Sequence, residues 1–379
     1  MVPNGWEKHP IGNICRSIVP GRNKPKVFNG DIPWVTTPEI DGKYIPSSKQ
    51  VNYISNHVAK ECGAKLVPEG AVVIAAVGDL GLTAIASEKL FLNQQLHAFV
   101  CPESVHNEYI AYFLSSQKPY MYTVASKTTI PYMNKSNCES IPILLPPLPE
   151  QRKIAQILST WDKAIATTEK LIATSQQQKK ALMQQLLTGK KRLVNPDTGK
   201  VFEGDWYETT MASLFSISAG KSKSKFISDS GQYLIVDMGS ISREGKLIAS
   251  KKTSHDSDFL SLGQLVMPKD DIGGGQIIGR TAYIPESGKF ILSDHVYLLE
   301  PKTVNSLFAS YLINSWEINK QLRSKANGTA QLGLGKKDVE KQKLVVPKSL
   351  QEQQKIASVL TAADKEIEFL EAKLAHLKE

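Results

Sequence analysis

The strongest constraint on this chain is that it carries one helical passage twice. Glu150-Gln151-Arg152-Lys153-Ile154-Ala155 opens the first copy and Glu352-Gln353-Gln354-Lys355-Ile356-Ala357 opens the second. The register continues through Leu158 with Leu360, Asp162 with Asp364, Ile165 with Ile367 and Ala173 with Ala375. Each copy follows a Pro-bounded apolar exit, Ile141 to Pro147 and Leu344 to Pro347. The copies stand roughly 200 positions apart, too far for a solenoid repeat and close to one domain plus one helix. The chain therefore reads as a duplicated module: globular block, helix, globular block, helix. Such a duplication along a rigid spacer suits a protein that engages two sites a fixed distance apart.

Both passages step between apolar positions by four and three, the spacing of a coiled-coil seam. The first helix is predicted from about Glu150 to Leu187, stopped by Thr188-Gly189. Its seam is Ile154, Leu158, Trp161, Ile165, Ile172, Leu182 and Leu186, with polar interruptions at Thr168, Ser175 and Lys179. The second helix opens on the capping pattern Ser349-Leu350-Gln351-Glu352 and uses Ile356, Leu360, Ile367, Leu370 and Leu374. The simplest packing is an antiparallel pair. About 38 helical residues span roughly 57 Å, longer than the roughly 34 Å between successive half-sites on duplex DNA.

The globular blocks are related more loosely. Gly5-Trp6-Glu7 parallels Asp205-Trp206-Tyr207, and each opening leads to a Gly-plus-basic loop, Gly21 to Lys26 and Gly220 to Lys225. Buried-strand patterns such as Ala71 to Ala76 and Gln264 to Met267 alternate with helical stretches near Asn107–Gln117 and Asn305–Leu322. The expected fold is α+β: two tandem mixed domains, residues 1–146 and 195–346, separated by helical regions at 147–194 and 347–379. Thr188 to Gly204 reads as a linker with tight turns.

Lys and Arg number 46 against 37 Asp and Glu, a net charge of +9 that favours a polyanionic partner. No apolar run reaches membrane-spanning length and no signal pattern opens the chain, so a cytoplasmic protein is expected. The cysteines, Cys15, Cys62, Cys101 and Cys138, show no metal-ligand spacing and are expected to be free and structural. The seven histidines form no metal motif. Gly274 to Thr281 has glycines like a phosphate loop, but Arg280 replaces the required Lys and a strand follows. Asp237, Glu244 and Lys246 loosely fit a nuclease triad but read as a turn. There is no Asn/Asp-Pro-Pro-aromatic tetrapeptide of an amino-methyltransferase. No catalytic residue and no metal ligand is therefore assigned.

The architecture, together with Pro146 to Ala155 (Pro-Pro-Leu-Pro-Glu-Gln-Arg-Lys-Ile-Ala), Leu186 to Arg192, Gly5-Trp6 and Gly328-Thr329-Ala330-Gln331, closely resembles the specificity subunit of type I restriction–modification systems. The resemblance covers essentially the whole chain. It implies a non-enzymatic subunit that reads a bipartite, asymmetric sequence in double-stranded DNA, one half per block. It further implies that the helices set the spacing and dock two methyltransferase subunits, with restriction/translocase subunits joining them. S-adenosylmethionine, ATP and Mg would then belong to those partners, and this chain would bind no cofactor. One departure from the pattern is that the second helix reaches Glu379 without a counterpart of Gln185 to Gly189.

On that reading, phosphate contacts are expected from Arg22, Lys24, Lys26, Lys221, Lys223, Lys225 and Lys325, and Lys43 is expected to be a further DNA-binding residue. Base contacts are expected from Thr36, Lys127, Thr128, Thr129, Asp237, Arg280, Thr329 and Gln331. The rival expectation is a coiled-coil adaptor that assembles proteins without reading DNA sequence.

Overall fold

A computed structural model describes residues 3–21, 23–272, 274–328 and 331–379. The chain forms two compact units, Met1–Ile165 and Ala166–Glu379. The division falls inside the first long helix, Leu148–Leu186, rather than at its ends. The reason is packing. Ala155 is fully buried in the core of the first unit and Ile154 packs on that core, whereas Leu186 is buried in the core of the second.

In the first unit a five-stranded sheet runs in the order Arg16–Ile18, Leu96–Val100, Val72–Ala75, Thr83–Ala86, Tyr44–Ile45. Its middle strand, Val-Val-Ile-Ala, is buried at every position, as a continuous apolar run requires. The helix Asn107–Ser116 covers one face and sets Ile110 and Leu114 against Ile74 and Phe99. A smaller sheet joins Tyr53–Ile54, Ile32–Val35 and Phe91–Leu92. Its corner is held by Glu39, only 4% exposed. The Glu39 carboxylate accepts hydrogen bonds from the Thr36 amide and hydroxyl at 2.7 and 2.6 Å, and from the amides of Val51 and Asn52 at 3.0 and 3.2 Å. Burial raises its pKa, but these hydrogen bonds outweigh burial and hold the carboxyl below its usual range.

That balance gives a signed expectation. A carboxyl depressed in the folded state stabilises the fold above its unfolded value of about 4.3 and loses the contribution as pH falls through the lower folded value. Glu39→Gln should therefore lower stability at pH 7 by about 2 kcal/mol and flatten the acid limb of the stability profile below about pH 4. Urea unfolding of both proteins between neutral and acid pH measures this. Equal slopes in the acid limb would remove Glu39 from the account.

The second unit repeats the plan. Its main sheet runs Phe215–Ala219, Val296–Pro301, Leu265–Pro268, Ala282–Tyr283, and a second sheet joins Lys252–Thr253, Tyr233–Val236 and Phe290–Leu292. Both units open in the same way. A strand pairs antiparallel with the exit strand, turns through four helical residues, and enters the main sheet: Glu7–Pro10 on Pro142–Leu145, and Trp206–Thr210 on Lys343–Pro347. The helical stretch expected at Asn305–Leu322 is two helices, Ser306–Asn314 and Trp316–Arg323, parted at Ser315. Between the first long helix and this unit, the expected turns are present, with Gly189 and Gly199 at positive φ of 69° and 67°.

Within the second unit the long helices pack antiparallel. Glu169 pairs with Lys378 at 2.7 Å, Ser175 donates to Glu366 at 3.4 Å, and Lys179 pairs with Asp364 at 2.5 Å, numbers rising on one helix as they fall on the other. The second helix spans Leu350–Lys378, with Ser349 accepting the Glu352 amide at its start. Ile367 and Leu370 are buried, Ile356 and Leu360 are buried in the core of the second unit, and Ile172, Leu182 and Leu374 are half-buried. Thr168 and Ser175 are buried, so the polar interruptions lie inside the pairing. The seam expectation fails at its other end. Leu158 is 37% and Trp161 47% exposed, so neither is sealed into a seam. Ile165 is half-buried, and Ile154 serves the first unit's own core.

Candidate nucleic-acid interface

The repeated Glu-Gln passage has the same local role in each unit. Gln151 is 1% exposed; its side-chain carbonyl accepts the His106 amide at 2.8 Å and its amide donates to the Pro146 carbonyl at 2.8 Å. Gln353, also 1% exposed, accepts from the Asn305 amide at 2.8 Å and donates to the Pro347 carbonyl at 2.8 Å. A glutamine fits because one side chain must both donate and accept. Each clamp ties a long helix to the start of the helix that covers its sheet, and so fixes how the helix leaves the globular part. A second tie repeats one turn or more onward: the Tyr112 hydroxyl donates to Asp162, and the Tyr311 hydroxyl donates to Asp364 at 2.6 Å. Burial and these carboxylates push both phenols well above their usual range.

The residues assigned from sequence, Arg280 apart, separate into three groups. Arg22 and Thr329 lie outside the described residues. A second group remains available to a ligand. Lys24 and Lys26 are exposed and line a cleft of about 940 Å³ with Asn23, Val58 and Gln94. Lys127, Thr128 and Thr129 are exposed on a loop beside Ile130 (61% exposed) and Tyr132 (48% exposed). Lys221, Lys225 and Gln331 are also exposed.

The third group is engaged by the fold, which corrects the sequence reading. Lys223 is 5% exposed with its ammonium on Asp258 at 2.5 Å, so it steadies its loop instead of facing a phosphate. Lys43 pairs with Glu108 at 3.1 Å and lies 4.4 Å from the Tyr112 ring centre. The Thr36 hydroxyl is held by Glu39, and Asp237 by Lys251 and Ser240. Lys325 donates to the buried Gln342 at 2.8 Å. Asp237, Glu244 and Lys246 do not converge: Lys246 pairs with Glu368 at 2.9 Å and Glu244 accepts from Ser242 at 2.9 Å. Among the described residues no three His, Cys, Asp or Glu side chains are grouped to hold a metal ion. The four cysteines are free, with the Cys15 and Cys101 sulfurs 3.4 Å apart. No helix among the described residues is long and apolar enough to cross a membrane.

Arg280 occupies a place of its own. One terminal nitrogen donates to the Asn314 carbonyl at 2.6 Å, whereas its Nε is buried with no acceptor. Three residues that sequence reasoning missed stand around it: Trp316, Lys320 and Arg323. Their spacing, i, i+4 and i+7, puts an aromatic ring and two cations on one helix face. That spacing is the signal that could have found them.

The local geometry thus offers exposed cations, aromatic rings and hydroxyls, which suit the binding of nucleic acid. Comparison with known proteins points the same way. A family model described as the type I restriction modification DNA specificity domain matches residues 3–175 and again 203–379. The chain is 26% identical over 391 residues to the type I restriction enzyme MjaVIII specificity subunit of Methanocaldococcus jannaschii, covering 97% of this chain and 88% of that protein. It is 27% identical over 175 residues to the MjaIX specificity subunit of the same organism, a match that spans 45% of this chain and 40% of that relative's length. The fold is similar to the crystal structure of a type I restriction–modification system S subunit from M. genitalium, with TM-score 0.62 at 14% identity, covering 100% of this chain and 95% of that one. It is also similar to the HsdS subunit from Thermoanaerobacter tengcongensis, with TM-score 0.51 at 18% identity, covering 100% and 94%.

Proposed function

Because this chain belongs to the type I restriction–modification DNA specificity family, we propose that its two units each read one half of a bipartite, asymmetric sequence in double-stranded DNA. The observation that carries this reading is the duplication. The family model matches twice, and the same buried glutamine clamp recurs in each unit. Two reading heads on helices of fixed exit geometry need a target with two halves and a fixed gap.

In this reading the chain supplies recognition and positioning, and carries no catalytic residue. Lys24, Lys26, Lys221 and Lys225 contact phosphates, while the 126–132 loop and the region of Gln331 reach base edges. Two methyltransferase subunits dock on the helices, and restriction/translocase subunits join the assembly. S-adenosylmethionine, ATP and Mg are bound by those partners. The exposed Leu158 and Trp161 and the polar first turns of the helix leave surface for such docking.

Selection of bound duplexes from a random library tests the binding half of the proposal, using the full chain co-purified with a type I methyltransferase subunit from the same organism. The expected product is one split motif whose halves keep a constant separation. Enrichment of a single uninterrupted motif, or of none, would sink it.

A further inference from the structure

We propose that the cleft bounded by Arg280, Trp316, Lys320 and Arg323 is the seat of one backbone phosphodiester of bound DNA, an inference that rests on the DNA-reading function above. The cleft has a volume of about 440 Å³ and is lined by these four residues together with Gly275, Asn319 and Leu332. Three features point to an anion.

First, cations gather here without counter-charge. Among the described residues, no carboxylate lies within ion-pair distance of the half-buried Arg280, although the buried or half-buried Lys179, Arg192 and Lys223 of this unit each have one, and none lies within that distance of the exposed Lys320 or Arg323. The acid whose charge Arg280 feels, Glu244, turns its carboxylate to the Ser242 hydroxyl. Burial, and after it the Arg323 charge, lower the Arg280 pKa from its usual value. A guest anion would relieve both.

Second, the Arg280 Nε is buried and has no acceptor. With one terminal nitrogen on the Asn314 carbonyl, the guanidinium is left under-partnered, and a phosphate in the cleft that Arg280 lines is the kind of acceptor such a group is shaped for. Third, the cleft is built to hold its cations open. Lys320 lies 4.6 Å from the centre of the Trp316 ring, an arrangement that orients the ammonium without neutralising it. Gly275, at positive φ of 78°, brings the backbone close enough that an added Cβ would stand 2.8 Å from the Leu332 side chain and 3.8 Å from the Arg323 guanidinium.

The corresponding place in the first unit makes the contrast. It lies in the same strand connection of the main sheet, beside Gly81, and there Lys118 is paired with Asp79 at 3.0 Å. One cation with its own carboxylate needs no guest. The phosphate seat is therefore a feature of the second unit.

Lys320 and Arg323 are exposed, so their replacement leaves the core untouched. The test measures equilibrium binding of the full chain to a random-sequence duplex over a range of KCl concentrations. Lys320→Gln with Arg323→Gln should reduce the steepness of log affinity against log salt by about 1 and weaken every sequence by the same factor. Arg323→Lys, which keeps the charge, should retain most of the slope. If the wild-type chain binds and the double variant shows an unchanged slope, the phosphate seat is overturned while the DNA-reading function stands. A changed motif preference with an unchanged slope overturns it as well, in favour of base contact. Failure of the wild-type chain to bind any duplex overturns both.

Discussion

Arg192→Ala is expected to destabilise the second unit by about 3 to 5 kcal/mol, the largest effect of any single substitution considered. Arg192 lies just past the first long helix, in the tail that folds over the start of the second. Its Nε and a terminal nitrogen reach the Glu352 carboxylate at 2.5 and 2.7 Å, and its other terminal nitrogen donates to the Gly204 carbonyl at 3.0 Å. The Glu352 side chain is only 1% exposed. Truncating the arginine leaves a buried carboxylate without its partner, which costs more than the pair itself contributes. The double variant Arg192→Ala with Glu352→Met removes the stranded charge and should recover most of the loss. Urea unfolding followed by tryptophan fluorescence reads both. Equal stability of wild type and Arg192→Ala, or no recovery in the double variant, would mean that the bidentate pair does not hold this junction.

Gln353→Leu should lower stability by about 2 to 4 kcal/mol, from two buried backbone groups left unsatisfied. The Asn305 amide loses its acceptor and the Pro347 carbonyl loses a donor. Leucine is of similar volume, so a cavity adds little. Gln151→Leu should have the same effect in the first unit, where the amide is that of His106 and the carbonyl that of Pro146. The informative outcome is functional as well as thermal. The clamp fixes the exit of each long helix, so either variant should loosen the accepted gap between half-sites before it alters the bases within a half. A variant that keeps wild-type stability would show the clamp to be dispensable.

The long helices were legible in sequence because each carries a sustained apolar spacing and an end signal: Ser349 caps the second, and Gly189 follows the first. The duplication was legible for the same reason. The importance of its most repeated residue was not. A glutamine among charged and polar residues at a helix start reads as solvent-facing, and only the fold shows that it bonds to the chain on both sides. The failure at Leu158 and Trp161 has a related cause. Spacing says that a helix has an apolar stripe but not whether another element lies on it, and Leu158 and Trp161 are exposed.

Site residues were less legible than the fold. Residue type cannot separate Lys221 and Lys225, which are exposed, from Lys223 between them, which points inward to Asp258. Alternation along an extended loop would place all three on one side, so period two carries no signal that Lys223 turns inward. Arg280 was found because it displaced an expected lysine from a glycine-rich stretch. Its neighbours Trp316, Lys320 and Arg323 are hidden in the sequence because one continuous helix over this stretch obscures the face that the separate short helix Trp316–Arg323 presents.

The central claim is that each unit reads its own half of a split target. The most direct test is to express the chain with a type I methyltransferase subunit from the same organism, map methylated adenines across genomic DNA, and repeat this with residues 195–346 exchanged for those of another family member. The account predicts one bipartite motif with a fixed gap for the natural chain. For the exchanged chain it predicts a motif with one half replaced and the other half unchanged. Methylation without a split motif, or an exchange that alters both halves together, would contradict it.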